Sequence, residues 1–408
     1  MASPYRVVLS LPGAALFSVT GTVARLPLSM VGLALVIVVE RATDSYALAG
    51  TVAAAYVFAA AVMAPVQGRL LDEWGQRPVL VVSAVVYGVG MTAVVVALEA
   101  GVAVPWTHLA AALTGAATPQ TGNMVRARWT HLVEGRQQLN TAYALEAVLD
   151  EVVFIVGPVL ATFLTLQVSP YAGLVTAATA GCAGSLLLAG QRRTEPPVVR
   201  RRSGGRAPLD RRLLGPVVAA SVGIGIVFGS TEVIVVAFTD EQGRPGTAGV
   251  VLAVWAAGSL AAGIAVGLLP SPVDVVARLR VTVTVLALTF VPLLFLDGVL
   301  LLAIGMFVAG AAISPTLVAA MHLVQQFVPP ARLTEALSWT TLGLSIGVAP
   351  GAAAAGWVVD HAPSAWGAST AFGVPLLAGL LAAAVAWSFH PPPRGATSSA
   401  PALGLETP

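Results

Sequence analysis

The sequence predicts an all-α polytopic membrane protein with twelve transmembrane helices in two six-helix pseudo-repeats. Three observations predict it. Of 408 residues, 57% are hydrophobic and 10% charged, against about 25% charged in a soluble domain, and mean hydropathy is +0.86. The apolar residues form continuous runs of about 20, enough to cross a core ~30 Å thick, where a β-barrel would alternate apolar and polar. One long polar segment divides these runs six and six.

The first span runs from Ser10 to Val39, too long for a cleaved signal peptide and without a cleavage site. The next five are Tyr46–Leu71, Val79–Leu98, Trp106–Val125, Leu139–Leu166 and Tyr171–Ala189. Residues 191–212 carry eight arginines with Pro196, Pro197 and Gly204–Gly205, which reads as a flexible basic linker. The second set is Leu213–Phe238, Thr247–Leu269, Ala277–Leu296, Val299–Gln325, Leu333–Val359 and Ala365–Phe389. The expected organisation is therefore a first bundle over 1–190, a linker over 191–212, a second bundle over 213–389 and a disordered tail over 390–408.

All 21 basic residues are arginine. With the N-terminus inside, 18 of the 21 fall on the inner side, leaving Arg41 and Arg244 outside and Arg25 within the first span. That bias places both termini and the linker in the cytoplasm. The lone Cys182 excludes an intrachain disulfide and a cysteine-based metal cluster. No block mixes basic and aromatic residues as a nucleic-acid surface would, and no G-x-x-x-x-G-K-S/T loop signals nucleotide binding.

The two halves align in places. Gly50, Tyr56, Gly68 and Leu70 fall opposite Gly249, Trp255, Gly267 and Leu269. Ala144, Leu145 and Pro158 fall opposite Ala336, Leu337 and Pro350. A duplicated bundle with a cavity between its halves is a transporter architecture. Small-residue ladders at Gly343, Gly347, Gly351 and Ala355, and at Gly263 and Gly267, mark faces where helices pack closely.

The loop Gly68-Arg69-Leu70-Leu71-Asp72-Glu73-Trp74-Gly75-Gln76-Arg77 resembles the signature between helices two and three of the major facilitator superfamily, G-x-x-x-D-R/K-x-G-R/K-R/K. It departs at Glu73 and Gln76, where the family has basic residues. The resemblance extends from about Ser10 to Phe389. It implies the facilitator fold, alternating access, and a conformational latch of Gly68, Asp72, Gly75 and Arg77, with Arg126 or Arg128 as partner to Asp72. Gly157-Pro158 resembles an element of bacterial drug/proton antiporters and points towards export; it is also readable as a proline kink relieved by neighbouring helices.

Ionisable side chains inside a membrane segment are costly and mark functional candidates. On the fifth span Glu146 and Asp150 lie about 40° apart on one face, with Glu151 about 100° round from Asp150. Asp150 lies roughly 16 Å in, near the midplane, and Arg25 is at similar depth. In the fold that the resemblance implies, the first and fifth helices are neighbours, so an Arg25–Asp150 or Arg25–Glu151 pair is expected, Glu146 being nearer the inner surface. Glu146, Asp150, Glu151 and Arg25 are the proton-coupling candidates, because a carboxylate taken from water holds its proton into the neutral range; a static ion pair orienting two helices is the competing account. In the fold that the resemblance implies, the fourth and tenth helices line the cavity, so Gln120, Asn123 and His322, with Glu232 as an attractor for a cationic substrate, are the substrate-cavity candidates, each also readable as an interfacial or interhelical hydrogen-bonding group.

These readings converge on a secondary transporter that is not an enzyme, needs no cofactor or metal beyond a proton gradient, and exports small amphipathic or apolar compounds. The expected setting is a bacterial cytoplasmic membrane, as a monomer in contact with lipid and without nucleic acid. Uptake or facilitated movement of a sugar or metabolite is the alternative. A lipid-modifying enzyme would need paired acidic motifs at the surface, which the inner loops lack.

Overall fold

In the computed structural model, residues 4–102, 104–198, 211–268, 274–328, 333–361 and 367–389 are described. Among them every regular element is helical. A short helix, Pro4–Leu9, leads into α1, Ala14–Thr43. Then follow α2 (Tyr46–Trp74), α3 (Gln76–Glu99), α4 (Val104–Ala116 and Thr121–Leu132), α5 (Arg136–Phe163) and α6 (Ala172–Gly190). The second half contains α7 (Arg211–Glu241), α8 (Ala248–Leu268), α9 (Val275–Leu288), α10 (Val299–Ala311 and Ile313–Phe327), α11 (Leu333–His361) and α12 (Gly373–Ser388). Eleven segments are individually long and apolar enough to cross a membrane. The twelfth, α4, consists of two helices of 13 and 12 residues.

The breaks follow from backbone chemistry. Proline lacks a donor and disfavours a helical residue before it. Pro27 divides α1 into Ala14–Arg25 and Pro27–Thr43, and Pro119 lies in the gap of α4. The fourth span thus extends beyond the expected Val125 to Leu132, placing Arg126 and Arg128 on a helix rather than in a loop. Pro158 and Pro350 are carried inside continuous helices.

Both halves use the same close approaches. A Cβ on Gly115 of α4 would lie 2.0 Å from the Tyr56 carbonyl of α2, and one on Gly310 of α10 would lie 2.0 Å from the Trp255 carbonyl of α8. The α11 ladder packs on α7: Gly347 and Gly351 sit against the carbonyls of Val222 and Ile226.

The halves meet along two crossed seams, α2 with α11 and α5 with α8. Here the aligned glycines do equivalent work. Gly50 abuts the Ala352 carbonyl, and Gly249 abuts the Pro158 carbonyl. Hydrogen bonds between the halves gather near the α1–α2 turn. Asp360, near the end of α11, accepts from the Tyr46 and Ala47 amides, both at 2.9 Å, and from Ser45 Oγ at 2.7 Å. Tyr46 Oη donates to Asp240 at 3.4 Å. These bonds join the two halves at the α1–α2 face.

The first residues of the expected linker are docked on the first half. Arg128 donates to the Gln191 carbonyl and Thr194 Oγ1, and Gln191 Nε2 donates to Thr20 Oγ1. Residues 199–210 and the tail 390–408 lie outside the described residues.

Candidate functional site

Four charged side chains converge where α1, α4 and α5 meet. Arg25 closes the first segment of α1, one residue before the break at Leu26. Its Nε donates to the carbonyl of Gly21 at 3.1 Å, which folds the side chain against its own helix. The guanidinium then reaches α5: Nη1 donates to Asp150 Oδ1 at 2.6 Å and Nη2 to Glu146 Oε2 at 2.5 Å. Arg126 Nη2 of α4 donates to the other oxygen of Asp150 at 2.7 Å. Two guanidinium cations face two carboxylates, so the cluster is neutral as drawn.

The two acids differ in surroundings. Glu146 is fully buried, and its Oε1 accepts from Ser18 Oγ at 2.6 Å and Trp129 Nε1 at 2.9 Å. Trp129 is fixed edge-on against Phe17. With Arg25 on its other oxygen, Glu146 is a saturated acceptor in a closed pocket. Asp150 sits one turn along, with 28% of its side chain accessible, and its partner Arg126 is 41% accessible. Solvent therefore reaches the Asp150–Arg126 end and not Glu146. An ion pair that is part wet can open without leaving a dry, unpaired charge.

The expected Arg25–Asp150 pair is present, and Glu146 joins it as the more buried acid. Glu151 is not paired with Arg25: lying ~100° round the helix from Asp150, it is half-buried and, among the described residues, in no ion pair. Ser18 and Trp129 carried no signal, since nothing in their local sequence marks them as donors to an acid on another helix.

The expected latch is rearranged. Asp72 is exposed and pairs with neither arginine. Arg126 is committed to Asp150. Arg128, fully buried, donates to Gln76 Oε1 at 2.8 Å and to the carbonyls of Gln191 and Leu188. Gln76, the departure from the family pattern, is thus the arginine's partner. Gly75, between α2 and α3, has φ +83°, a backbone conformation that favours glycine. The Arg77 amide, at the start of α3, is capped by Glu195 of the early linker at 2.9 Å. A Cβ on Gly68 would meet nothing within 4 Å, so no close approach is needed there.

Of the cavity candidates, Glu232 lies on α7 directly opposite Gly32 of α1, where a Cβ would come within 2.9 Å of its carboxylate. It is half-buried and, among the described residues, has no ion-pair partner. Gln120 sits half-buried at the break in α4, whereas Asn123 and His322 are exposed. No group of three or more His, Cys, Asp or Glu side chains able to hold a metal occurs among the described residues.

A family model described as Major Facilitator Superfamily matches residues 17–270. No curated relative matches the chain. Solved structures align over nearly its whole length. The nucleoside transporter NupG does so at 16% identity and TM-score 0.69, covering 91% of this chain and 98% of that one. A bacterial homologue of the iron transporter ferroportin, in an inward-facing state, gives 15% and 0.69 over 91% and 98%. A D-xylose–proton symporter gives 13% and 0.68 over 93% and 97%. At these identities the likeness shows the fold.

Proposed function

Because this chain belongs to the major facilitator superfamily of membrane transporters, we propose that it is a proton-coupled exporter of small amphipathic compounds, working by alternating access. The observation that carries this reading is the Arg25–Glu146–Asp150–Arg126 cluster, with one acid sealed and the other in contact with solvent. Asp150 is the acid that takes up and releases the proton. Protonating it removes the charge that bridges Arg25 and Arg126 and leaves Arg126 on α4 without its counter-ion. Glu146 keeps Arg25 neutralised meanwhile, so the switch acts on the α4 side of the cluster. Glu151 is a further candidate for proton exchange on the half-buried face of α5.

The seams give the second half of the cycle. The α1–α2 face is closed by the Asp360 cap and by glycine contacts, while Asp150 and Arg126 remain solvent-accessible. With the arginine bias assigning the α2–α3 face to the cytoplasm, this arrangement opens inward. We place the protein in a bacterial cytoplasmic membrane as a monomer with both termini inside. The few polar groups beside the cluster favour apolar or amphipathic cargo over a sugar, whose hydroxyls would need several fixed partners.

The test is flux in proteoliposomes under an imposed pH gradient. The wild-type chain is expected to move a fluorescent amphiphile against its gradient only when protons run the other way. In Asp150→Asn the gradient-driven component is expected to fall at least about tenfold, with downhill exchange retained. Gradient-driven flux in that variant equal to wild type would remove Asp150 from coupling, and flux in the direction of proton entry would make the protein an importer.

A further inference from the structure

The geometry points to a binding site for an amphipathic organic cation in the second half, formed by Glu232 and Phe228 of α7 and Trp255 of α8; this rests on the transporter reading above and names the cargo class. Glu232 is the starting point. Its carboxylate faces the backbone of Gly32 on α1, a residue with no side chain to answer it. Gly32 is seven residues beyond Arg25, about 10 Å further along α1. Arg25 and Arg126 are already bound to Glu146 and Asp150. The cluster is neutral, and among the described residues no cation is paired with Glu232. A carboxylate at membrane depth without a partner is costly, and a cargo cation would offset that cost.

The surroundings choose the kind of cation. Phe228 precedes Glu232 by one helical turn, so the two share a face of α7. The Phe228 ring lies 5.1 Å from the Trp255 ring, tilted by 52°. Trp255 is only 7% exposed, yet its Nε1 has no hydrogen-bond partner. A buried indole N–H is normally paired. The matching aromatic residue of the first half, Tyr56, does have partners: its hydroxyl accepts from Thr118 Oγ1 at 3.0 Å. Both rings stand at equivalent glycine contacts, Gly115 and Gly310. Tyr56 is thus answered by Thr118, whereas at the equivalent place in the second half an acid and a buried indole N–H stand, among the described residues, without a partner beside two aromatic rings. A carboxylate with aromatic faces nearby suits a delocalised or quaternary cation, which gains from both. The orphan N–H suits an acceptor atom on the body of the cargo.

Equilibrium binding to the full chain in nanodiscs, with no gradient imposed, tests this separately from coupling. The probes are tetraphenylphosphonium and tetraphenylborate, which share size and shape and differ in charge. Wild type is expected to bind the phosphonium and to prefer it over the borate by at least about tenfold. Glu232→Gln is expected to weaken phosphonium binding by about tenfold or more, Glu232→Asp by much less, and Trp255→Phe to retain it while losing part of the fluorescence quenching. Equal wild-type affinity for the two ions overturns the proposal even if a variant fails to fold. A folded Glu232→Gln that binds phosphonium within twofold of wild type also overturns it. Failure of proton-driven flux with intact phosphonium selectivity would count against coupling and not against this site.

Discussion

At the scale of the residue, Glu146 and Asp150 show how one helical turn separates a structural acid from a labile one. Glu146 is enclosed and accepts from Ser18, Trp129 and Arg25. Removing its carboxylate would leave Arg25, 1% exposed, with an uncompensated share of its charge. Truncating one partner of a buried pair costs about 3–5 kcal/mol. Glu146→Ala is therefore expected to lower the thermal unfolding midpoint in detergent markedly. Asp150→Asn, at the wet end, is expected to stay close to wild type in the same measurement. An equal loss in both would mean that the cluster acts as a single structural unit. The ionisable residues were legible from the sequence because membrane charges are rare and depth follows from residue count; the pairing of Arg25 with Asp150 or Glu151 needed the neighbouring first and fifth helices that the family resemblance implied. The ligation of Glu146 by Ser18 and Trp129 was not, since those contacts join helices more than a hundred positions apart in one case.

At the scale of the element, the informative objects are helix ends and glycine faces. Asp360 closes the α1–α2 face by capping the start of α2 from the opposite half. The carboxylate meets two backbone amides at the positive end of a helix, which strengthens each bond. Hydrogen bonds to charged groups are worth roughly 1.5–3 kcal/mol, and less at an exposed site such as this one. Asp360→Ala is expected to loosen the seal and leave the protein folded. In a Cys182→Ser background, a Val36→Cys probe buried in the core should react with an impermeant maleimide several-fold faster when Asp360→Ala is added. An unchanged rate would show that the glycine seams alone hold the face shut. The ladder on α11 was readable from its spacing of four. The Asp360 cap was not: a lone acid at a helix end reads as solvated until the opposing helix is known. The latch shows the reverse error. The motif residues were recognised, but Arg126 and Arg128, on a helix that continues past the break in α4, bind Asp150 and Gln76 and not Asp72.

At the scale of the molecule, the duplication explains both what is shared and what is confined to one half. Gly50 and Gly249 each meet a carbonyl of the opposite half, so the two seams are equivalent. The acids of α5 align with Ser338, Leu342 and Gly343 of α11, so the scaffold can rock without them, and the charge cluster biases that rocking from one side. Two packed bodies hinged on equivalent seams move as units, since close-packed interiors resist continuous deformation. Distances measured at opposite faces should then change together and with opposite sign. In a Cys182→Ser background, spin labels at Glu73→Cys and Gln326→Cys report the α2–α3 face, and labels at Glu99→Cys and Gln242→Cys report the α1–α2 face. Conditions that protonate Asp150 are expected to shift the first pair towards one separation and the second pair the other way. Asp150→Asn should sit at the protonated end of that range at every pH tested. If the two faces changed independently, the seams would be gates that open locally, and the α1–α4–α5 cluster would control only the face it is exposed to.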